Sequence, residues 1–301
     1  MSTTDGHTNQ GWTYTEQVSD GDHGVELVAW LARRHAHSDA TTWAARIAEG
    51  QVSVGPDVIT TSTALRRGQN VAWCRPPWTE PEVPRHFGLL HVDDDLLVVT
   101  KPSGLPTVPA GGFLHQTLLT VVRETWPEAT PMHRLGRGTS GLVLFARTEA
   151  SRKQIQGLWR DHNVEKHYLG VVAGAPPWDT RSLDSPIGLV PHPRLGEVWA
   201  ASSSGRPSRT DATVIERDTE SLVRLRLWTG RPHQIRIHLA AAGFPLAGDP
   251  LYGIGGTPRS EALPGDIGYR LHAESLGFVH PTTGQRLHLS APAPWAGNGC
   301  P

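Results

Sequence analysis

Apolar positions near the start of the chain recur at helical spacing. In Val25–Ala36 (VELVAWLARRHA), Val25, Val28, Ala29, Leu31 and Ala32 share one face, the signature of an amphipathic helix. A second short helix is predicted in TTWAARIAEG, with Asp39 or Thr41 as its cap and Gly50 as its stop. QVSVG then alternates like a strand, and VITTSTALRRGQNVAW supplies a turn and a closing strand. Residues 74–86 (CRPPWTEPEVPRH) hold four prolines in thirteen positions and read as a linker. Beyond it the pattern changes to longer strands. FGLLHVDDDLLVVTKPSG gives two apolar strands around a turn at Asp93–Asp95, and residues 114–126 give an amphipathic helix. GLVLFAR is a buried strand, residues 149–162 a further helix, and KHYLGVVAG a strand ended by glycine. After a loop rich in proline and glycine come the strands DATVIERD and SLVRLRLWTG, the helix RPHQIRIHLAAAG and the loop GDPLYG. The expected organisation is a disordered tail (1–22), a small domain (23–75), a linker (76–86) and a larger domain (87–301), of α+β class.

Composition narrows this picture only a little. The 301 residues suffice for two domains, and 32 glycines with 25 prolines suit short strands and many turns. No apolar run approaches the ~20 residues of a membrane span, and the polar N-terminus lacks the layout of a signal peptide. The two cysteines, Cys74 and Cys300, stand far apart without metal-ligand spacing. A cytoplasmic protein without a metal site or a disulfide framework is expected. The net charge of -1 makes no global case for nucleic acid, so any positive surface has to be local. In the small domain Arg33, Arg34, Arg46, Arg66 and Arg67 supply one, beside two helices and a small sheet. That layout resembles the RNA-binding domain first seen in ribosomal protein S-four, which implies a grip on an RNA backbone.

Six segments of the larger domain carry the chemistry. They are Lys101-Pro102-Ser103-Gly104, HRLGRGTSGLVLFA from His133, Lys166-His167-Tyr168, TGRPHQIRIH from Thr229, GDPLYG from Gly248, and RLHA from Arg270 followed by Phe278 and Pro281. In kind and order they resemble the RluA-type family of RNA pseudouridine synthases, whose catalytic domain is a mixed, mainly antiparallel β-sheet and whose pattern reads KPxG, HRLDxxTSG, KxY, TGRTHQIRVH, GDPLYG and RxLHA. The resemblance implies a catalytic cleft across a mixed β-sheet that needs neither cofactor nor metal. It also implies isomerisation of a uridine turned out of structured ribosomal or transfer RNA. By motif, Tyr168 is the ring that stacks on the base and Arg236 the partner of the family's catalytic aspartate. His133, Arg134, Arg137, Thr139, Lys101, Arg231, His233 and Gln234 are carried over as substrate-binding positions. A monomer is expected.

The departure matters as much as the matches. The aspartate that serves the family as nucleophile or base is Gly136 here, and the second acid of many relatives (HRLDRDTSG) is Gly138. Glycine offers no oxygen, and no acid stands between His133 and Thr148. Arg236 therefore needs a phosphate, a water or another carboxylate, because a buried unpaired guanidinium costs several kcal/mol. Three readings follow. An active synthase draws a substitute acid from Asp93–Asp95, Asp211 or Asp249, the last better suited to a turn. A catalytically silent member still binds RNA through the same cleft. A different enzyme uses His133, His233 or His238. If the missing carboxylate is the sole defect, Gly136→Asp should create or raise uridine isomerisation.

Overall fold

In the computed structural model, which describes residues 7–35 and 37–295, the chain divides into Met1–Glu80 with His192–Gly196 and Pro81–Pro191 with Glu197–Pro301. Cys300 and residues 1–6 of the expected tail lie outside the described residues.

In the smaller unit, helices Leu27–Arg34 and Ala40–Ala48 share a core with a four-stranded sheet in the order Trp12–Gln17, Asn70–Arg75, Val52–Val54, Asp57–Ile59. Asp39 caps the second helix by accepting from Thr42 N–H at 2.8 Å. The first helix buries Leu27, Trp30 and Leu31, so its core face is turned from the one the apolar spacing implied; Val25, Val28 and Ala32 flank that core. Trp12–Gln17 corrects the expectation of a disordered tail over 1–22. It is an edge strand, laddered antiparallel along Asn70–Arg75 from Trp12–Arg75 to Gln17–Asn70. Its side chains are almost all exposed, which left the sequence without a buried alternation to read.

The larger unit is built on one mixed ten-stranded sheet. Its path runs Thr180–Leu183, Thr210–Glu216, Glu220–Leu227, Glu165–Ala173, Leu271–Val279, Ser140–Ala146, Leu96–Lys101, Gly88–Val92. All of these pairings are antiparallel except that of Ser140–Ala146 with Leu271–Val279. This one parallel pairing joins the TSG segment to the LHA segment, with Ser140 opposite His272 and Gly141 opposite Ala273. Gly141 sits at φ +110°, and a Cβ there would lie 2.3 Å from the Ala273 carbonyl oxygen. Only glycine allows that approach. Ser140–Ala146 is buried along its whole length, as its unbroken apolar run requires.

Helix Glu149–Arg160 begins with a reciprocal capping box between Thr148 and Ser151. The helix read over 114–126 is shorter, Leu118–Arg123, with Thr117 as its cap. Gln234–Ala241 is buried from Gln234 to Ala240, so the helical part of HQIRIH, its arginine included, runs through the interior.

The cleft at the centre of the large sheet

Three segments converge on a cleft of about 330 Å³: the loop of His133–Thr139, the strand bearing Lys166 and Tyr168, and the run from Gly230 to Arg236. Tyr269 and Leu271 complete its wall. The loop is held from behind by the KPSG turn. Gly104 N–H donates to Arg137 O at 2.8 Å, and Ser103 Oγ donates to Gly138 O at 2.8 Å. Thr107 both donates to Leu135 O (2.9 Å) and accepts from Leu135 N–H (3.1 Å). Lys101 belongs to this support and does not line the cleft. It is 1% exposed, and Nζ donates to the carbonyls of Pro102, Leu105 and Arg137 at 2.9, 2.7 and 3.3 Å. Burial, aided by the nearby Arg137 charge, pushes its pKa down to about 7. Arg137 likewise turns away, its Nε donating to Gly104 O at 3.1 Å and its guanidinium lying over the Phe113 ring. Both positions were expected to bind substrate. The structure puts them in the scaffold behind the loop.

Arg236 finds the carboxylate it needs in Asp249. Nε and Nη2 donate to Oδ2 and Oδ1, both at 2.7 Å, between side chains 3% and 1% exposed. Asp249 Oδ1 also accepts from the N–H groups of Leu251 and Tyr252 at 2.9 and 3.0 Å, which shapes the GDPLYG turn. Burial, the largest single effect, works against the guanidinium charge, but hydrogen bonding to Asp249 together with the attraction of Tyr269, Asp249 and Tyr252 raises the Arg236 pKa. The same guanidinium packs over the rings of Tyr269 (4.4 Å to the centroid) and Tyr252 (5.0 Å). Asp249 thus accepts four hydrogen bonds, three of them on Oδ1, and lies outside the cleft lining. The other acids considered from the sequence are also elsewhere. Asp93 accepts from Leu96 N–H and bonds to His91 and His280, and Asp211 accepts from Arg209 and Trp228. No carboxylate stands among the described residues that line the cleft.

The three candidate histidines are each bonded within the fold. His133 accepts from Leu144 N–H through Nε2 (3.1 Å) and stacks on Trp159. Burial, reinforced by Lys166, pushes its pKa down to about 3, so the ring is neutral. His233 holds the left-handed conformation that starts the helix and bonds Tyr252 Oη at 2.8 Å; burial likewise takes it to about 3. His238 is tied to Thr210 and Ser185. Gln234 accepts from Thr229 and Arg231 N–H and donates to Arg209 O, fixing the turn before the helix.

Tyr168 and Arg231 also line the cleft. Tyr168 presents its ring on the strand, and burial raises its phenol to about 12, so it stays neutral. Arg231 has a buried Nε with no hydrogen-bond partner among the described residues. A buried unsatisfied donor costs about 1–3 kcal/mol unless a ligand accepts from it. In the smaller unit the side chains of four of the five expected RNA-binding arginines are already partnered. Arg33 pairs with Asp22, Arg34 with Glu16, Arg67 with Asp20 at 2.7 Å, and Arg46 packs over Trp43 and Trp73. Arg66 donates its backbone N–H to Gln69. Among the described residues no metal-binding cluster occurs and no helix is long and apolar enough to cross a membrane.

Comparison with known proteins agrees with this arrangement. The RNA pseudouridylate synthase family model matches residues 95–241. An uncharacterized RNA pseudouridine synthase of Synechocystis sp. is 40% identical over 89% of this chain and 94% of its own. The dual-specificity RNA pseudouridine synthase RluA of Escherichia coli is 33% identical over 68% of this chain and 92% of its own. Among solved structures, human RNA pseudouridylate synthase domain containing 1 superposes with a TM-score of 0.57 at 25% identity, covering 72% of this chain and 87% of its own.

Proposed function

The chain belongs to the RluA-type family of RNA pseudouridine synthases, and on that premise we propose that its cleft seats one uridine turned out of ribosomal or transfer RNA and returns it as pseudouridine. The observation that carries this reading is the meeting of Tyr168, Arg231, Arg236 and the His133–Thr139 loop in a single cleft of about 330 Å³. That volume is at the small end of ligand pockets and suits one nucleoside. In this reading the Tyr168 ring stacks on the extruded base, a contact worth about 1–3 kcal/mol. Arg231 takes a phosphate or carbonyl oxygen with its open Nε. Arg134, exposed at the cleft rim, meets the backbone, and Thr139 and His133 shape the floor. The enzyme works as a cytoplasmic monomer.

The test is nucleoside analysis of RNA from a strain lacking the gene, alongside the same RNA treated with purified protein. A pseudouridine lost from the deletion strain and returned by the protein is expected, and its position names the substrate. RNA without a missing pseudouridine, which the protein leaves unmodified but still binds, marks instead the silent RNA binder that the absent carboxylate suggests.

Binding should also be salt-dependent, since arginine–phosphate contacts release counterions. Affinity for the substrate RNA is expected to fall by at least about tenfold between 50 and 200 mM salt. A flat response in a filter-binding titration removes phosphate contacts from the account.

A further inference from the structure

The two glycines of HRLGRGTSG call for an explanation that backbone geometry does not give. Neither Gly136 nor Gly138 has a positive φ, so neither conformation demands glycine. What demands it is a ring. A Cβ on Gly138 would lie 2.9 and 3.0 Å from Cζ and Cε1 of Tyr269 and 3.1 Å from its hydroxyl. A Cβ on Gly136 would lie 3.2 Å from the same hydroxyl. The Tyr269 phenol therefore occupies the space into which a side chain at 136 would project. It is 5% exposed, lines the cleft with Tyr168 and Arg236, stacks its ring on the Arg236 guanidinium at 4.4 Å, and shares a hydrogen bond of 3.3 Å with Thr139 Oγ1.

We infer that Tyr269 stands in for the missing carboxylate, its phenol oxygen being the group that meets the ribose of the bound uridine. The inference rests on the synthase reading above. It accounts for both departures in the loop together: losing the side chains at 136 and 138 is what admits the ring. It also gives the cleft, which lacks a carboxylate, an oxygen able to take a proton beside a fixed positive charge.

The ring is held between the loop and Arg236, so a proton transfer, which needs no travel of the ring, fits better than a bond from oxygen to C1′. In this step the phenol, having handed its own proton to solvent, takes the proton from C2′. The electrons of that C–H bond become the C1′=C2′ double bond, and the C1′–N1 pair leaves with the uracil as its anion. After the base turns, its C5 adds to C1′ while the phenol returns its proton to C2′. The proton left on C5 passes through solvent to N1. Nothing is oxidised or reduced, and the phenolate is regenerated.

The experiment uses the full chain and total RNA from the deletion strain, with pseudouridine formation followed over time. Tyr269→Phe keeps the ring and removes the oxygen. It should lower kcat by roughly 10²- to 10⁴-fold, the usual contribution of a general base, with RNA affinity and melting temperature nearly unchanged. Adding Gly136→Asp to Tyr269→Phe should restore turnover, because the hydroxyl that crowded position 136 is gone. Equal turnover by wild type and Tyr269→Phe overturns the inference alone. So does a loss that comes with a lower melting temperature and is not repaired by Gly136→Asp, since that marks a packing role. A wild type that forms no pseudouridine overturns the synthase reading itself, and the inference with it.

Discussion

Asp249→Ala should lower the melting temperature of the larger unit by roughly 6–20 °C. Removing one partner of a buried ion pair costs about 3–5 kcal/mol, and in domains of this size each kcal/mol is worth about 2–4 °C. The substitution strands the Arg236 guanidinium, 3% exposed, without either of its carboxylate bonds. It also takes the acceptor from Leu251 and Tyr252 N–H, on which the GDPLYG turn closes. A thermal melt followed by circular dichroism measures the shift, and a fall of under 2 °C would refute the structural account. Replacing both partners, as Arg236→Met with Asp249→Leu, should recover part of the stability while abolishing function, because the unpaired charge is gone along with the guanidinium. Asp249→Asn separates the roles considered from the sequence. A carbonyl at this position still serves the turn, so the variant should fold with reduced stability and keep measurable turnover. Abolished turnover at unchanged stability would instead make Asp249 the substitute acid.

The sequence made this ion pair half-visible. Arg236 was recognisable by motif, and its need for a new counter-charge followed from Gly136. The choice of Asp249 did not follow, because the two meet only when the GDPLYG loop folds back on a buried helix. Strands with strong apolar runs, such as Ser140–Ala146, were legible because burial on both faces leaves a composition to read. Trp12–Gln17 was not legible, since an edge strand with exposed side chains is held by its backbone ladder. The first helix was found but its face misplaced. Leu27 and Trp30 outrank the smaller Val25 and Val28 in burial, and spacing alone does not weigh side-chain size. Tyr269 escaped for a different reason. It stands in a weakly patterned stretch between GDPLYG and RLHA, and its distance in sequence from the loop hides their contact. The paired glycines at 136 and 138 were the available signal, since space cleared at two alternate positions implies something large that fills it.

Lys101 shows how a motif residue can be read correctly and assigned the wrong work. The motif carries it over as a substrate-binding position, yet Nζ is spent on the carbonyls of Pro102, Leu105 and Arg137, which bind the KPSG turn to the loop of Gly136. Lys101→Met should therefore destabilise the fold by about 3 kcal/mol, as three acceptors lose their donor. Turnover should fall as the loop loosens, without the change in salt dependence that loss of a phosphate contact produces. The pH dependence follows from the lowered pKa. Unfolded, the lysine titrates near 10.5; folded, near 7. Between these values the unfolded chain holds the extra proton, so stability rises with pH, by up to ~1.4 kcal/mol per unit. The gain is complete above 10.5 and is lost as pH falls through 7. The neutral amine still has two donors for three carbonyls, so part of the loop's support survives the titration. Other groups titrate in the same range, and the difference between wild type and Lys101→Met isolates this one. Urea unfolding of both proteins between pH 7 and 10 should show the gap widening. A gap that stays constant or narrows would mean that burial does not depress this ammonium.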